Sequence, residues 1–146
     1  PRGSGDGVHW AAAGRGAWVV ITADQLICHA LGDYVLQSDW MATHKTSRAS
    51  VALLHALTYS LPFLALGPSL GAWLVIVLTH AAIDRYRLAR YVVWAKEHLA
   101  PRRPPPFAEC PTGYPQDKPA WLAVWLLIAA DNTMHVLING AALRWL

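Results

Sequence analysis

Between Ala49 and Leu66 the chain carries no Asp, Glu, Lys or Arg. A run of that length and apolarity belongs in a bilayer or at the centre of a core. Three more apolar segments accompany it, and the spans read as about 17–37, 49–66, 70–90 and 120–143. Gly67-Pro68 closes the second segment, and Pro119 stands where a first helical turn accepts proline. Composition decides between bilayer and core. The 146 residues are 55% hydrophobic and 14% charged, against about 25% charged in soluble domains. Mean hydropathy is +0.27, and eight Trp are present. The sequence therefore predicts an all-α integral membrane bundle of four transmembrane helices. The third continues as a basic amphipathic helix through Arg85, Arg87, Arg90 and Trp94. Residues 17–146 form that domain, residues 1–16 read as a flexible Gly-rich segment, and residues 99–118, rich in proline, read as a loop.

Charge sets the orientation. Lys45 and Arg48 lie in the first loop; Arg85, Arg87 and Arg90 lie on the basic extension at the inner end of the third segment, and Lys96, Arg102, Arg103 and Lys118 follow before the fourth span. The opposite side has only Arg2, Arg15 and Arg144. The positive-inside rule places loops 38–48 and 91–118 in the cytoplasm and both termini outside, across a bacterial inner membrane. Trp18, Trp73 and Trp145 then mark the outer interface, and Trp40, Trp94 and Trp121 the inner one. A net charge of +3 gives no basic stripe, so no nucleic-acid partner is expected. Cys28 and Cys110 are isolated and form no Cys-rich metal motif.

Polar residues interrupt these apolar segments at a regular spacing. His29 and Asp33, His80 and Asp84, and Asp131 and His135 are each four apart, which places both members of a pair on one helix face. His55 adds an imidazole from the second segment. An Asp at the centre of a membrane helix costs about 2.5–3.5 kcal/mol, so three of them require partners. The Lys and Arg fall outside the spans, which leaves imidazoles or bound cations. His with Asp suits zinc, manganese or iron. His29, Asp33, His55, His80, Asp84, Asp131 and His135 exceed what one tetrahedral ion needs and suit two divalent ions sharing a carboxylate. Gln37, Tyr59, Asn132 and Asn139 extend the stripe as supporting or substrate contacts. Asp24 falls on the far side of the first helix, and His9, His44 and His98 fall outside the spans.

These stretches resemble a bacterial and phage family, domain of unknown function 3307. The opening signature is His29-Ala-Leu-Gly-Asp33-Tyr-Val-Leu-Gln37-Ser-Asp39-Trp40-Met41 with Lys45. Later matches are Leu-Leu-His55-Ala-Leu-Thr-Tyr59, His80-Ala-Ala-Ile-Asp84-Arg85, Thr112-Gly113-Tyr114-Pro115, and Asp131-Asn132-Thr133-Met134-His135 with Asn139. The resemblance implies a multi-span membrane protein and leaves the activity open.

The residues support three functions. The first is a metal-dependent hydrolase in which the metals activate water and polarise a phosphoryl or acyl oxygen. Asp33, Asp84 and Asp131 are its candidate catalytic residues. The substrate is a membrane lipid or lipid-linked ester, its phosphate held by Lys45, Arg85 and Arg87. The second is a cation or proton transporter using the same stripe. The third is a non-catalytic bacterial or phage membrane accessory protein. HExxH and Gly-rich phosphate loops are absent from the sequence.

Overall fold

The computed structural model describes residues 21–146. The 1–16 segment, the start of the first span, His9 and Trp18 lie outside them. Among the described residues the fold is all-α, with no strand. Six α-helices follow in order: α1 Ala23–Ala30, α2 Asp39–His44, α3 Ala49–Ser60, α4 Leu70–Tyr86, α5 Ala89–Glu97 and α6 Ala120–Trp145. Among the described residues, two stretches are long and apolar enough to cross a membrane. These are Ala49–Leu66, formed by α3 and the 3₁₀ turn Pro62–Leu66, and α6.

Local chemistry sets the helix starts. Thr22 caps α1 in a capping box with Gln25, which satisfies amide groups that the first turn leaves open. Ser38 caps α2 and Ser69 caps α4 through their hydroxyls. Gly67, with φ of 63°, turns the chain after the 3₁₀ segment, a conformation that costs glycine little.

Three expectations need correction. The third helix does not continue through its basic extension. It stops at Tyr86, because Arg87 adopts a left-handed backbone with φ of 52° and the Leu88 amide bonds the Ile83 carbonyl. That is a Schellman-type end with Arg where Gly is usual. Tertiary packing compensates: the break lets α5 set Val93 against Ala123 of α6 and against Tyr114. Second, the loop at 38–48 contains α2, and Ser38 before Asp39 is the capping signal that marks it. Third, α1 does not run on as a regular helix to Gln37. Leu31–Val35 widens into a π-turn, closed by Leu36 bonding the Leu31 carbonyl. The prolyl stretch at 99–118 is a loop with one 3₁₀ turn, Phe107–Glu109.

The bundle buries a polar cluster beside its apolar core. α4 lies between α3 and α6, and α1 packs on α6 and on the Pro62–Leu66 turn. Small residues form the contacts: Ala52, Ala56, Ala72 and Ala142 are buried. At Gly32 an added Cβ would sit 2.5 Å from the Tyr59 ring and 2.7 Å from its carbonyl oxygen, so only glycine lets these segments approach. The interior holds Gln25, His29, Asp33, His55, His80, Asp84, His135 and Asn139, while Leu53, Leu57, Leu61, Leu74, Leu78, Val124 and Leu137 point outward. Small residues between helices and polar residues inside are the pattern of helices packed in lipid.

Candidate metal centre

Four helical segments bring the His and Asp residues together. His55 comes from α3, His80 and Asp84 from α4, Asp131 and His135 from α6, and Asp33 from the π-turn after α1. The wider π-turn carries Asp33 and the adjoining Gly32 against α3, a use such bulges often have at functional sites.

The central atoms are the two Nε2 nitrogens of His55 and His80, 3.0 Å apart. Asp33 Oδ1 lies 3.3 Å from the first and 3.5 Å from the second. Asp84 Oδ2 lies 3.3 Å from the first and 3.1 Å from the second. Two triangles of donor atoms therefore share the His55–His80 edge. Zinc stands about 2.0–2.1 Å from nitrogen and oxygen ligands, so one face of its coordination tetrahedron has edges of about 3.3–3.4 Å. The triangle of Asp33, His55 and His80 has that size, and these residues are placed to hold an ion.

A second group lies beside the first. His80, Asp84 and His135 also converge. His135 Nε2 is 3.4 Å from Asp131 Oδ2 and 3.8 Å from Asp84 Oδ1. Asp84 thus turns one oxygen toward each group. Its environment differs from the expectation that only imidazoles stand near: Lys45 Nζ is 2.9 Å from Asp84 Oδ2 and 3.4 Å from His55 Nε2. The lysine follows α2 directly, and its flexible stem spans the distance that sequence position suggested it could not.

Hydrogen-bond accounting shows what the cluster lacks. His55 Nδ1, His80 Nδ1 and His135 Nε2 are buried without a hydrogen-bond partner among the described residues. Ring contacts hold the imidazoles instead. Tyr59 stacks on His80 with centroids 3.7 Å apart at 19°, and His80 lies 4.1 Å from His135.

His29 is placed differently from the other candidate ligands. Its Nδ1 is 2.8 Å from the Tyr59 hydroxyl and its Nε2 is 2.9 Å from Asn132 Oδ1. Asn139 donates to the Tyr59 hydroxyl at 2.6 Å, so Tyr59 donates to His29 Nδ1 and His29 donates from Nε2. Both ring nitrogens are thereby engaged, and Nδ1 lies 3.5 Å from Asp33 Oδ2. Asn132 continues the chain by donating to Tyr34. This network braces Asp33 and α6 from behind. Gln37 donates to the Asp33 carbonyl, and Gln25 ties α1 to α6 through the Val136 carbonyl.

A cavity of about 310 Å³ opens onto the cluster. Asp33, Asp84 and Asp131 line it together with Gln37, Lys45 and Asn132. Arg87 and Arg90 complete its polar wall, whereas Ile83, Leu127 and Ile128 make the rest apolar. Arg85 is absent from that wall and donates to the Thr46 carbonyl at 2.8 Å. Tyr34 and Arg90 were not singled out from the sequence. The available signal for Arg90 is its place three residues after Arg87 in the basic run; Tyr34 has none beyond its place next to Asp33. Asp24, by contrast, is exposed as its helix face implied.

A family profile described as Protein of unknown function (DUF3307) matches residues 21–103, more than half of the chain. The matched stretch includes His29, Asp33, His55, His80 and Asp84; the Thr112–Pro115 and Asp131–Asn139 motifs lie beyond it. No curated protein and no solved structure matches the chain.

Proposed function

The chain belongs to the DUF3307 family, whose description leaves its chemistry open, and from the site itself we propose that it is a membrane-embedded, metal-dependent hydrolase acting on a lipid or lipid-linked ester. The observation that carries this reading is the triangle of Asp33, His55 and His80, sized for one face of a metal tetrahedron. Asp84, with an oxygen toward each group, is the carboxylate that two divalent ions would share. His80 and His135 complete the second group. A bound zinc, manganese or iron supplies Lewis acidity to an ester oxygen and to water. In hydrolysis the water oxygen bonds to phosphorus or acyl carbon, the bond to the ester oxygen breaks, and that oxygen leaves with a proton. Asp131 lines the cavity and its side chain is 31% exposed, which suits it to take the proton from water.

In this reading four segments, α1 with its π-turn, α3, α4 and α6, cross the inner membrane. The basic loops 38–48 and 91–118 face the cytoplasm, and the opposite ends of the bundle face outward. The buried polar cluster and the outward-facing leucines support it. Opposite the cavity, an apolar cluster of Cys28, Tyr59, Phe63, Ala72, Ile76 and Ala142 closes the bundle. That closure weighs for a site open on one side and against a pathway running through.

Metal analysis of the purified full chain tests the proposal. About two tightly held ions per chain are expected, with loss in Asp33→Asn and His80→Gln. Metal-free protein whose stability is the same in both variants, after purification with zinc or manganese present, overturns it.

A further inference from the structure

Arg87 and Arg90 line the cavity, yet neither has a carboxylate partner among the described residues; the cavity's paired cation is Lys45, on Asp84. Arg90 Nε is buried without a hydrogen-bond partner. Its guanidinium lies 4.6 Å over the Phe107 ring and 5.6 Å from the Tyr91 ring, contacts that fix the plane while leaving its edge donors free. Arg87 holds a left-handed backbone, the one non-glycine residue with positive φ among the described residues. Such a backbone persists where the surrounding structure over-determines it.

Arg87 is exposed and Arg90 half-buried, and neither pairs with the three carboxylates beside them, so both are available to an anion that enters the cavity. A neutral acyl ester would leave them unmatched, whereas a phosphate accepts from guanidinium in a forked geometry. Beside the cavity, behind the hydrogen bond from Asn132 to Tyr34, lies an apolar groove. This second cavity of about 340 Å³ shares Tyr34 and Asn132 with the first and is lined by buried Val136 and by Leu26 and Leu137 on the outward faces of α1 and α6. In the bilayer reading those faces meet lipid.

We propose that the cavity binds a phosphate-bearing lipid, with Arg87 and Arg90 on the phosphate and the chain lying in the Leu26–Leu137 groove. The identification of this lipid as substrate rests on the hydrolase reading; its binding does not. An uncharged ester is thereby excluded as the preferred ligand of the site.

The test is binding of dioleoyl phosphatidic acid to the detergent-purified full chain in chelator, with dioleoylglycerol and glycerol 3-phosphate as comparisons. Phosphatidic acid is expected to bind about tenfold or more tightly than dioleoylglycerol. Arg87→Gln and Arg90→Gln are each expected to lose about tenfold, the scale of a lost charge-assisted hydrogen bond. Arg87→Lys and Arg90→Lys, which keep the charge, should lose less. Arg102→Gln, outside the cavity and paired with Asp117, should bind as wild type. Equal binding of the two lipids overturns the proposal, as do folded Gln variants that bind phosphatidic acid normally. Glycerol 3-phosphate binding as tightly as phosphatidic acid overturns the lipid assignment in favour of a soluble phosphate ester. Because chelator is present, a chain that binds phosphatidic acid through these arginines but never retains metal supports the lipid site and rejects the hydrolase reading.

Discussion

The Nε2 atoms of His55 and His80 face each other across 3.0 Å, and carboxylate oxygens of Asp33 and Asp84 stand within 3.5 Å of both. Two neutral imidazoles cannot satisfy this arrangement. One nitrogen carries the proton between them, and the other turns its lone pair toward two acceptors. A cation at the shared edge reconciles all four atoms. Zinc is therefore expected to raise the thermal stability of the purified protein, by about 2.7 kcal/mol at a hundred times its dissociation constant. His55→Gln and His80→Gln should abolish the gain. Thermal unfolding with and without zinc measures it, and an unresponsive wild type counts against the site.

Lys45 places its ammonium 2.9 Å from Asp84 Oδ2, where it competes with a metal for that oxygen. Lys45→Met should act in two directions. Without metal, Asp84 loses its partner and stability falls by about 3 kcal/mol, the scale of breaking a buried pair. With metal, the competitor is gone and zinc binds more tightly than in wild type. Zinc titration of both proteins checks this; equal or weaker affinity in the variant removes Lys45 from the account.

The Tyr59 hydroxyl links Asn139 to His29, while its ring stacks on His80. Tyr59→Phe removes the first role and keeps the second. Stability should fall by roughly 1–3 kcal/mol, as for a buried hydrogen-bonded group left without its partner. Metal content should stay at the wild-type level. Unfolding and metal analysis on one preparation separate the two roles, and metal loss would show that the hydroxyl does more than brace.

Gly113 pins the prolyl loop to α5. With φ of 85°, an added Cβ would stand 2.8 Å from Val93 Cβ and clash with the Arg90 carbonyl. Gly113→Ala should undock the loop at a cost of about 1–3 kcal/mol. Cys110, fully buried three residues earlier, reports on it. Its alkylation by maleimide should be slow in wild type and faster in the variant, and identical rates would place the loop's anchor elsewhere.

The sequence carried much of the candidate site because helical periodicity is local. Each pair, His29–Asp33, His80–Asp84 and Asp131–His135, is four apart, and their placement in apolar segments forces them inward. That reasoning specified which residue faces converge; that Asp84 turns one oxygen toward each of two groups was visible only in the packed structure. Nothing local separates His29 from the other imidazoles. Its occupation by Tyr59 and Asn132 depends on residues thirty and more positions away.

Sequence alone also determined the helix-rich class and the apolar stretches, since hydrophobic content and proline and glycine punctuation act within a few residues. The tertiary structure decided where those helices bend and what reaches the centre. The π-turn at Leu31–Val35 follows the approach of Tyr59 to Gly32, and the break at Arg87 follows the packing of α5 on α6. Lys45 and Arg90, flexible side chains next to helix boundaries, reach the cavity only because those bends aim them there. His and Asp at metal spacing were a property of the chain; a site sized for an ion, with a cation already at its edge, is a property of the packed bundle, where distances between helices rather than along them set the chemistry.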